Sequence, residues 1–96
     1  MNETITYAVE LSPRAKDDML KWKATGQLKA IKKVRALLDE LRFHPTTGTG
    51  QVEQLRGNHD GLWSRRIDKK SRLVYSINDD TVTVLVISAY GHYDDK

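Results

Sequence analysis

The chain contains no cysteine, and that absence removes disulfides, thiol nucleophiles and thiolate metal sites at once. Histidine is scarce: His44, His59 and His92 are scattered without the spacing of a ligand set, which argues against a structural zinc, so neither a metal nor another cofactor is expected. No apolar run approaches the ~18 residues of a membrane span. Met1–Thr4 has neither the basic start nor the apolar stretch of a signal peptide. The expectation is a soluble, cytoplasmic protein with no membrane partner. Low-complexity tracts and internal repeats are also missing. With 96 residues there is room for one hydrophobic core, so residues 1–96 are expected to form a single domain of modest stability.

What is present is an ordinary globular composition, 39% apolar and 30% charged, with a formal net charge of +3. Its distribution says more than its total. Residues 56–72 hold six basic side chains (Arg56, Arg65, Arg66, Lys69, Lys70, Arg72) against Asp60 and Asp68, an excess of four. Residues 79–96 run the other way, with Asp79, Asp80, Asp94 and Asp95 against Lys96. Such asymmetry turns the basic segment toward a polyanion.

Thr4–Glu10 alternates, with Ile5, Tyr7 and Val9 on one side, and reads as a strand. Ser12-Pro13 supplies an N-cap followed by proline at the first helical position, and Ala15, Met19 and Trp22 make one apolar face before Gly26. In a second helix Leu28, Ile31, Val34, Leu38 and Leu41 recur every three or four residues, while Lys29, Lys32, Lys33 and Arg35 lie around the other side. Pro45 requires this helix to end by His44. After the loop Thr46–Gly50 the signals are strands: a weak one over Gln51–Arg56, then a turn over Gly57–Gly61, then strands over Leu62–Asp68, Ser71–Ile77 and Thr81–Tyr90. The order β-α-α-β-β-β-β predicts an α+β fold, two N-terminal helices packed on a mostly antiparallel sheet of four to five strands.

Cleaving a ribose phosphate without a metal requires a base for the 2′-hydroxyl, a cation for the charge developing on phosphate, and an acid for the departing 5′-oxygen. Suitable residue types occur as Glu53, the arginines 65, 66 and 72, and His92, all on predicted strands or at a strand end. Each also has a plainer reading. Glu53 fits a solvated strand carboxylate, Arg72 a charged strand end, and His92 a bystander after Gly91. Arg65 and Arg66 must point to opposite faces, so one of them belongs elsewhere, in a surface ion pair. Trp63, between Leu62 and Ile67, reads as core rather than as a base-stacking platform. Tyr93 would suit either role.

Taken together, Gly48-Thr49-Gly50-Gln51-Val52-Glu53-Gln54-Leu55, Gly61-Leu62-Trp63-Ser64-Arg65-Arg66-Ile67, Arg72-Leu73-Val74-Tyr75 and His92-Tyr93 resemble the Txe/YoeB family of toxin–antitoxin ribonucleases, within the RelE-like group. The likeness extends over essentially the whole chain. It implies a fold similar to microbial ribonucleases and metal-independent, ribosome-dependent cleavage of messenger RNA. Neutralisation by a cognate antitoxin and possible homodimers are implied as well. By position, Glu53 matches the family's general base, His92 its general acid and Arg72 the arginine on the scissile phosphate. Arg66, Arg65 and Arg56 match phosphate-binding positions, and Tyr93 the terminal tyrosine. Val52 and Gln54 stand where prolines are common, Ser71 where a histidine often precedes the arginine, and Asp94-Asp95-Lys96 extends past the usual end. Two other readings remain: a ParE-like toxin that poisons gyrase, which has no need of Glu53, Arg72 and His92 as a set, and a non-catalytic nucleic-acid-binding module.

Overall fold

The computed structural model describes residues 5–57 and 61–91; the expectations for His92, Tyr93, the N-terminal tip and the acidic tail fall outside the described residues. The elements are β1 (Ala8–Leu11), α1 (Pro13–Thr25), α2 (Leu28–Leu41), β2 (Glu53–Gln54), β3 (Leu62–Arg66), β4 (Arg72–Asn78) and β5 (Thr83–Ser88). They form one five-stranded sheet in the order β1-β5-β4-β3-β2. The pairs from β2 to β5 are antiparallel, whereas β1 lies parallel to β5, with Val9 opposite Val84. The α+β architecture is as expected.

Local chemistry accounts for the helices. The Ser12 side chain accepts the Ala15 N–H at 3.0 Å, Pro13 opens α1, and Gly26 closes it in the left-handed region at φ 70°. The buried stripe of α2 is Ala30, Val34, Leu37 and Leu41, flanked by Ile31 and Leu38. Leu28, the first residue of α2, does not join it and is exposed. Both helices cover one sheet face, where Leu73, Tyr75, Val84, Val86 and Ala89 meet Ala15, Trp22, Val34, Leu37 and Leu41. Each such Val or Leu contributes roughly 1.5–3 kcal/mol by leaving water. Trp63 packs against this core, as predicted. Strand β1 begins later than the alternation suggested: Tyr7 N–H bonds the Arg42 carbonyl at the end of α2 rather than a strand, and Ile5 is exposed.

Because side chains alternate along each strand, the helix-free face carries Glu53 from β2, Ser64 and Arg66 from β3, and Arg72, Val74 and Ser76 from β4. The odd members, Trp63, Arg65, Leu73 and Tyr75, point to the helices. An arginine among them is fully buried, at 0% exposure. All five of its N–H donors are used. Nε donates to the Tyr75 hydroxyl at 3.1 Å, one terminal nitrogen to Glu40 and to the Thr49 carbonyl, and the other to the carbonyls of His44 and Thr47. The loop between α2 and β2 is thereby wrapped around one guanidinium. Thr49 closes the circuit by donating its N–H and hydroxyl to Glu40, at 2.7 and 3.0 Å.

The glycines of this loop are there for space. A Cβ on Gly48 would lie 2.4 Å from Glu40 Oε1, which the network holds in place, and one on Gly50 would lie 3.1 Å from the Arg66 carbonyl oxygen. Both also have positive φ, 117° and 95°. The Gly50 carbonyl then accepts the Arg66 N–H at 2.6 Å, so the loop leaves the network in contact with β3, three residues before Glu53.

Burial by itself pushes the Glu40 carboxyl up, but the N–H and hydroxyl of Thr49 and the Arg65 guanidinium outweigh it and hold it below the ordinary carboxylate range. A carboxyl whose folded pKa lies below its unfolded value adds stability above the unfolded value, and that stability disappears as pH falls through the folded one. Glu40→Gln is therefore expected to cost about 3 kcal/mol at neutral pH, the cost of removing one partner from a buried ion pair. Its deficit relative to wild type should shrink as pH falls below the ordinary glutamate value, about 4.3, and on through the lowered value of the folded carboxyl. Urea unfolding at neutral and acid pH measures both; a deficit independent of pH would show that the charge contributes nothing.

Candidate active site

Strand β2 is only two residues long, yet its register places Glu53 opposite Ser64 on the helix-free face, and β3 in turn places Arg66 opposite Arg72. The Arg72 guanidinium spans this corner. Its Nη1 lies 3.3 Å from Ser64 Oγ and 3.5 Å from Glu53 Oε1. Glu53 is 59% exposed and Arg72 25%, so the pair is open to solvent on one side. A contact this long and this wet is worth at most about 1 kcal/mol, and a phosphate can replace the carboxylate at little cost.

Arg66 and Arg72 form a directly opposed cross-strand pair of like charge. Such pairs destabilise a sheet, by roughly 0.2–1 kcal/mol. Among the described residues Arg66 makes no side-chain hydrogen bond or ion pair. An anion bound between two such arginines would lower their mutual repulsion and gain charge-assisted hydrogen bonds.

The C-terminal segment is brought to the same corner by groups from three elements. Trp22 Nε1 donates to the Ala89 carbonyl at 2.6 Å, and buried Asp18 accepts the Ala89 N–H at 2.9 Å. Ser71 Oγ then accepts the Gly91 N–H at 3.0 Å, and the Gly91 carbonyl accepts the Arg72 N–H at 3.0 Å. Ser71, where the family pattern often has histidine, is thus buried and holds the residue that precedes His92.

Of the residues singled out in the sequence, Glu53, Arg66 and Arg72 share this face. Arg56 is exposed beyond β2, and among the described residues the hydrogen bonds of the Arg72 side chain and N–H run to Glu53, Ser64 and Gly91 and not to it. Arg65 is a correction: it was expected to bind phosphate or to form a surface ion pair. Instead it is completely buried behind the sheet with every donor occupied, and a phosphate cannot reach it. Ser64, Ser71, Asp18 and Glu40 were missed. A signal existed for Glu40, since an acidic residue in the last turn of a helix opposes the helix dipole and so needs a compensating partner. Among the described residues no group of three or more His, Cys, Asp or Glu could hold a metal ion.

The fold is a two-layer α+β domain whose helix-free sheet face carries a carboxylate and two arginines. Comparison narrows the class. A family model described as the YoeB-like toxin of bacterial type II toxin–antitoxin systems matches residues 11–93. A toxin YoeB of Mycobacterium bovis is 41% identical over 86 residues, covering 90% of this chain and 98% of the relative. Among solved structures, the YoeB/ParE toxin from Agrobacterium tumefaciens superposes with a TM-score of 0.81 at 28% identity, over 90% of this chain and 99% of that one. The YoeB–YefM heterotetramer and the YoeB dimer of Staphylococcus aureus follow at TM-scores of 0.73 and 0.75 and identities of 33% and 32%. They cover 91% and 92% of this chain and 98% and 99% of theirs. The chain belongs to the YoeB-like toxin family of bacterial type II toxin–antitoxin systems.

The two adjacent arginines should respond to substitution in opposite ways. Arg65→Ala leaves Glu40 and four loop and tyrosine oxygens without their donor and is expected to lose at least 3 kcal/mol of stability. Arg66→Ala removes only an opposed charge and should stay within about 0.5 kcal/mol of wild type. It should also lose most of the thermal stabilisation that wild type gains from added phosphate. Chemical denaturation with and without phosphate checks this; equal losses for the two variants would contradict the division of roles.

Proposed function

We propose that the chain is the toxin of a type II pair and acts as an endoribonuclease that cleaves messenger RNA on the ribosome without a metal. The observation that carries this reading is the juxtaposition of Glu53, Arg72 and Arg66 on one open face, with Gly91, covalently joined to His92, hydrogen-bonded to Arg72. In this proposal a phosphodiester displaces the weak Glu53–Arg72 contact. The Glu53 carboxylate takes the proton of the ribose 2′-hydroxyl, whose oxygen bonds to phosphorus as the bond from phosphorus to the 5′-oxygen breaks. Arg72 and Arg66 stabilise the charge on the non-bridging oxygens. His92 donates a proton to the departing 5′-oxygen, and Tyr93 serves as an RNA-binding residue. The products are a 2′,3′-cyclic phosphate and a free 5′-hydroxyl. No step calls for a cofactor.

The partners in this reading are the ribosome with its messenger RNA and a cognate antitoxin, as the YoeB–YefM complex of the S. aureus relative suggests. A second copy of the chain is a further partner, by analogy with the YoeB dimer from the same organism. No helix among the described residues is long and apolar enough to cross a membrane.

Primer extension on messenger RNA from a translating extract tests the proposal. Wild type should produce discrete new ends. Glu53→Gln and His92→Ala should reduce their rate of appearance by about 10²–10⁴-fold, the usual contribution of a general base or acid. Arg72→Ala should reduce it by about 10²–10³-fold. All three should keep the fold and antitoxin binding. Full growth arrest by a Glu53→Gln/His92→Ala double variant would mean that toxicity arises by another route, gyrase poisoning included.

A further inference from the structure

Beside the corner that holds Arg72 lies a cleft of about 620 Å³, lined by Trp22, Gln27, Lys69, Lys70, Tyr90 and Gly91, among others. Its wall begins at Ser71 and Gly91, the two residues whose hydrogen bonds fasten the C-terminal segment to β4. At its far end it shares Gln27 and Asp68 with a second depression of about 570 Å³ that adds Leu28, Lys29 and Lys33. The two depressions adjoin at Gln27 and Asp68 and make one channel along the β3–β4 turn and the start of α2, tied to the candidate site through the backbone bond between Gly91 and Arg72.

Most of the charge along this channel is positive. Lys69 and Lys70 are exposed on the turn, and Lys29 and Lys33 line the far depression. Among the described residues the one carboxylate on the walls is Asp68, whose Oδ1 accepts the N–H groups of Lys70 and Ser71 at 2.8 and 2.7 Å. Half-buried Tyr90 stands edge-on to Trp22 at 4.8 Å, with the Lys21 ammonium 5.7 Å from its ring centroid. Lysines following one another along a groove, with an aromatic ring on the wall, suit a single strand of nucleic acid: ammonium groups meet successive phosphates and the ring meets a base.

We infer that this channel is a binding site for the single-stranded RNA that continues beyond the scissile phosphate, with Lys69 and Lys70 as its first phosphate contacts. The inference rests on the nuclease reading and adds the path of the substrate. Because these lysines lie outside the Glu53–Arg72 corner, they govern affinity and substrate length rather than the chemical step.

The test measures binding of 2′-O-methylated RNA oligonucleotides, which lack the attacking hydroxyl, to the full chain over a range of salt. One oligonucleotide covers the Glu53–Arg72 corner only and a longer one extends past it. Wild type should bind the longer one more tightly. Lys69→Ala/Lys70→Ala should abolish that advantage and lower the slope of log affinity against log salt by roughly 1.4, two contacts at about 0.7 each. A Lys16→Ala/Lys32→Ala control, equal in charge, should leave both unchanged. An unaltered slope and length advantage in the Lys69/Lys70 variant would overturn the channel while leaving the nuclease reading intact. An equal fall in the control would reduce the effect to net charge and overturn it as well. Normal RNA binding with weakened antitoxin binding would make the channel a protein-docking surface instead. Failure of wild type to bind the longer oligonucleotide would overturn the channel, while the nuclease reading stands or falls by primer extension in the translating extract.

Discussion

A guanidinium sealed inside a protein is tolerated only when every donor finds a partner, because an unmatched buried charge costs several kcal/mol. Arg65 meets that demand with one carboxylate, three loop carbonyls and a tyrosine hydroxyl. The bonds constrain the loop as much as they satisfy the arginine. A segment rich in threonine and glycine, with little apolar surface of its own, has no other reason to hold one shape. Tyr75 extends the network by donating to the Pro45 carbonyl at 2.6 Å; its burial pushes the phenol above its ordinary range, so it remains a donor. The two-residue strand that carries Glu53 follows directly from this ordered loop.

The Arg65-Arg66 pair shows how a sheet divides labour between neighbours. The period of two sends one guanidinium into the protein and the other out of it. The inner one is saturated, while the outer one faces Arg72 with no bond to another described side chain. Consecutive residues of one strand therefore differ completely in environment. The opposed arginines are an unfavourable arrangement, which the inner network and the apolar core must offset.

Much of the architecture could be read from local patterns. Ser12-Pro13, Gly26 and the spacing of Val34 and Leu41 located both helices, and the alternation of Leu73, Tyr75 and Ile77 located β4 with its core side. The parallel pairing of β1 with β5 was not legible, because it joins the two ends of the chain and leaves no local trace. Nor was the burial of Arg65: arginine is usually a surface residue, and most of its partners are backbone carbonyls that any residue could supply. The proximity of Glu53 and Arg72 depended on the register of β2, β3 and β4, which residue types alone do not determine. Their candidacy came from chemistry and family resemblance, and their nearness from the fold.

The strand order has a consequence for how the protein is made. Strand β5, the last to be synthesised, lies between β1 and β4, so the first strand has no partner in the sheet until the last has emerged. Gly91, which docks against Arg72, comes later still. A chain partway through translation therefore lacks both the central strand that joins β1 to β4 and the bond from Arg72 to Gly91, so the sheet closes only after nearly all of residues 1–91 have emerged.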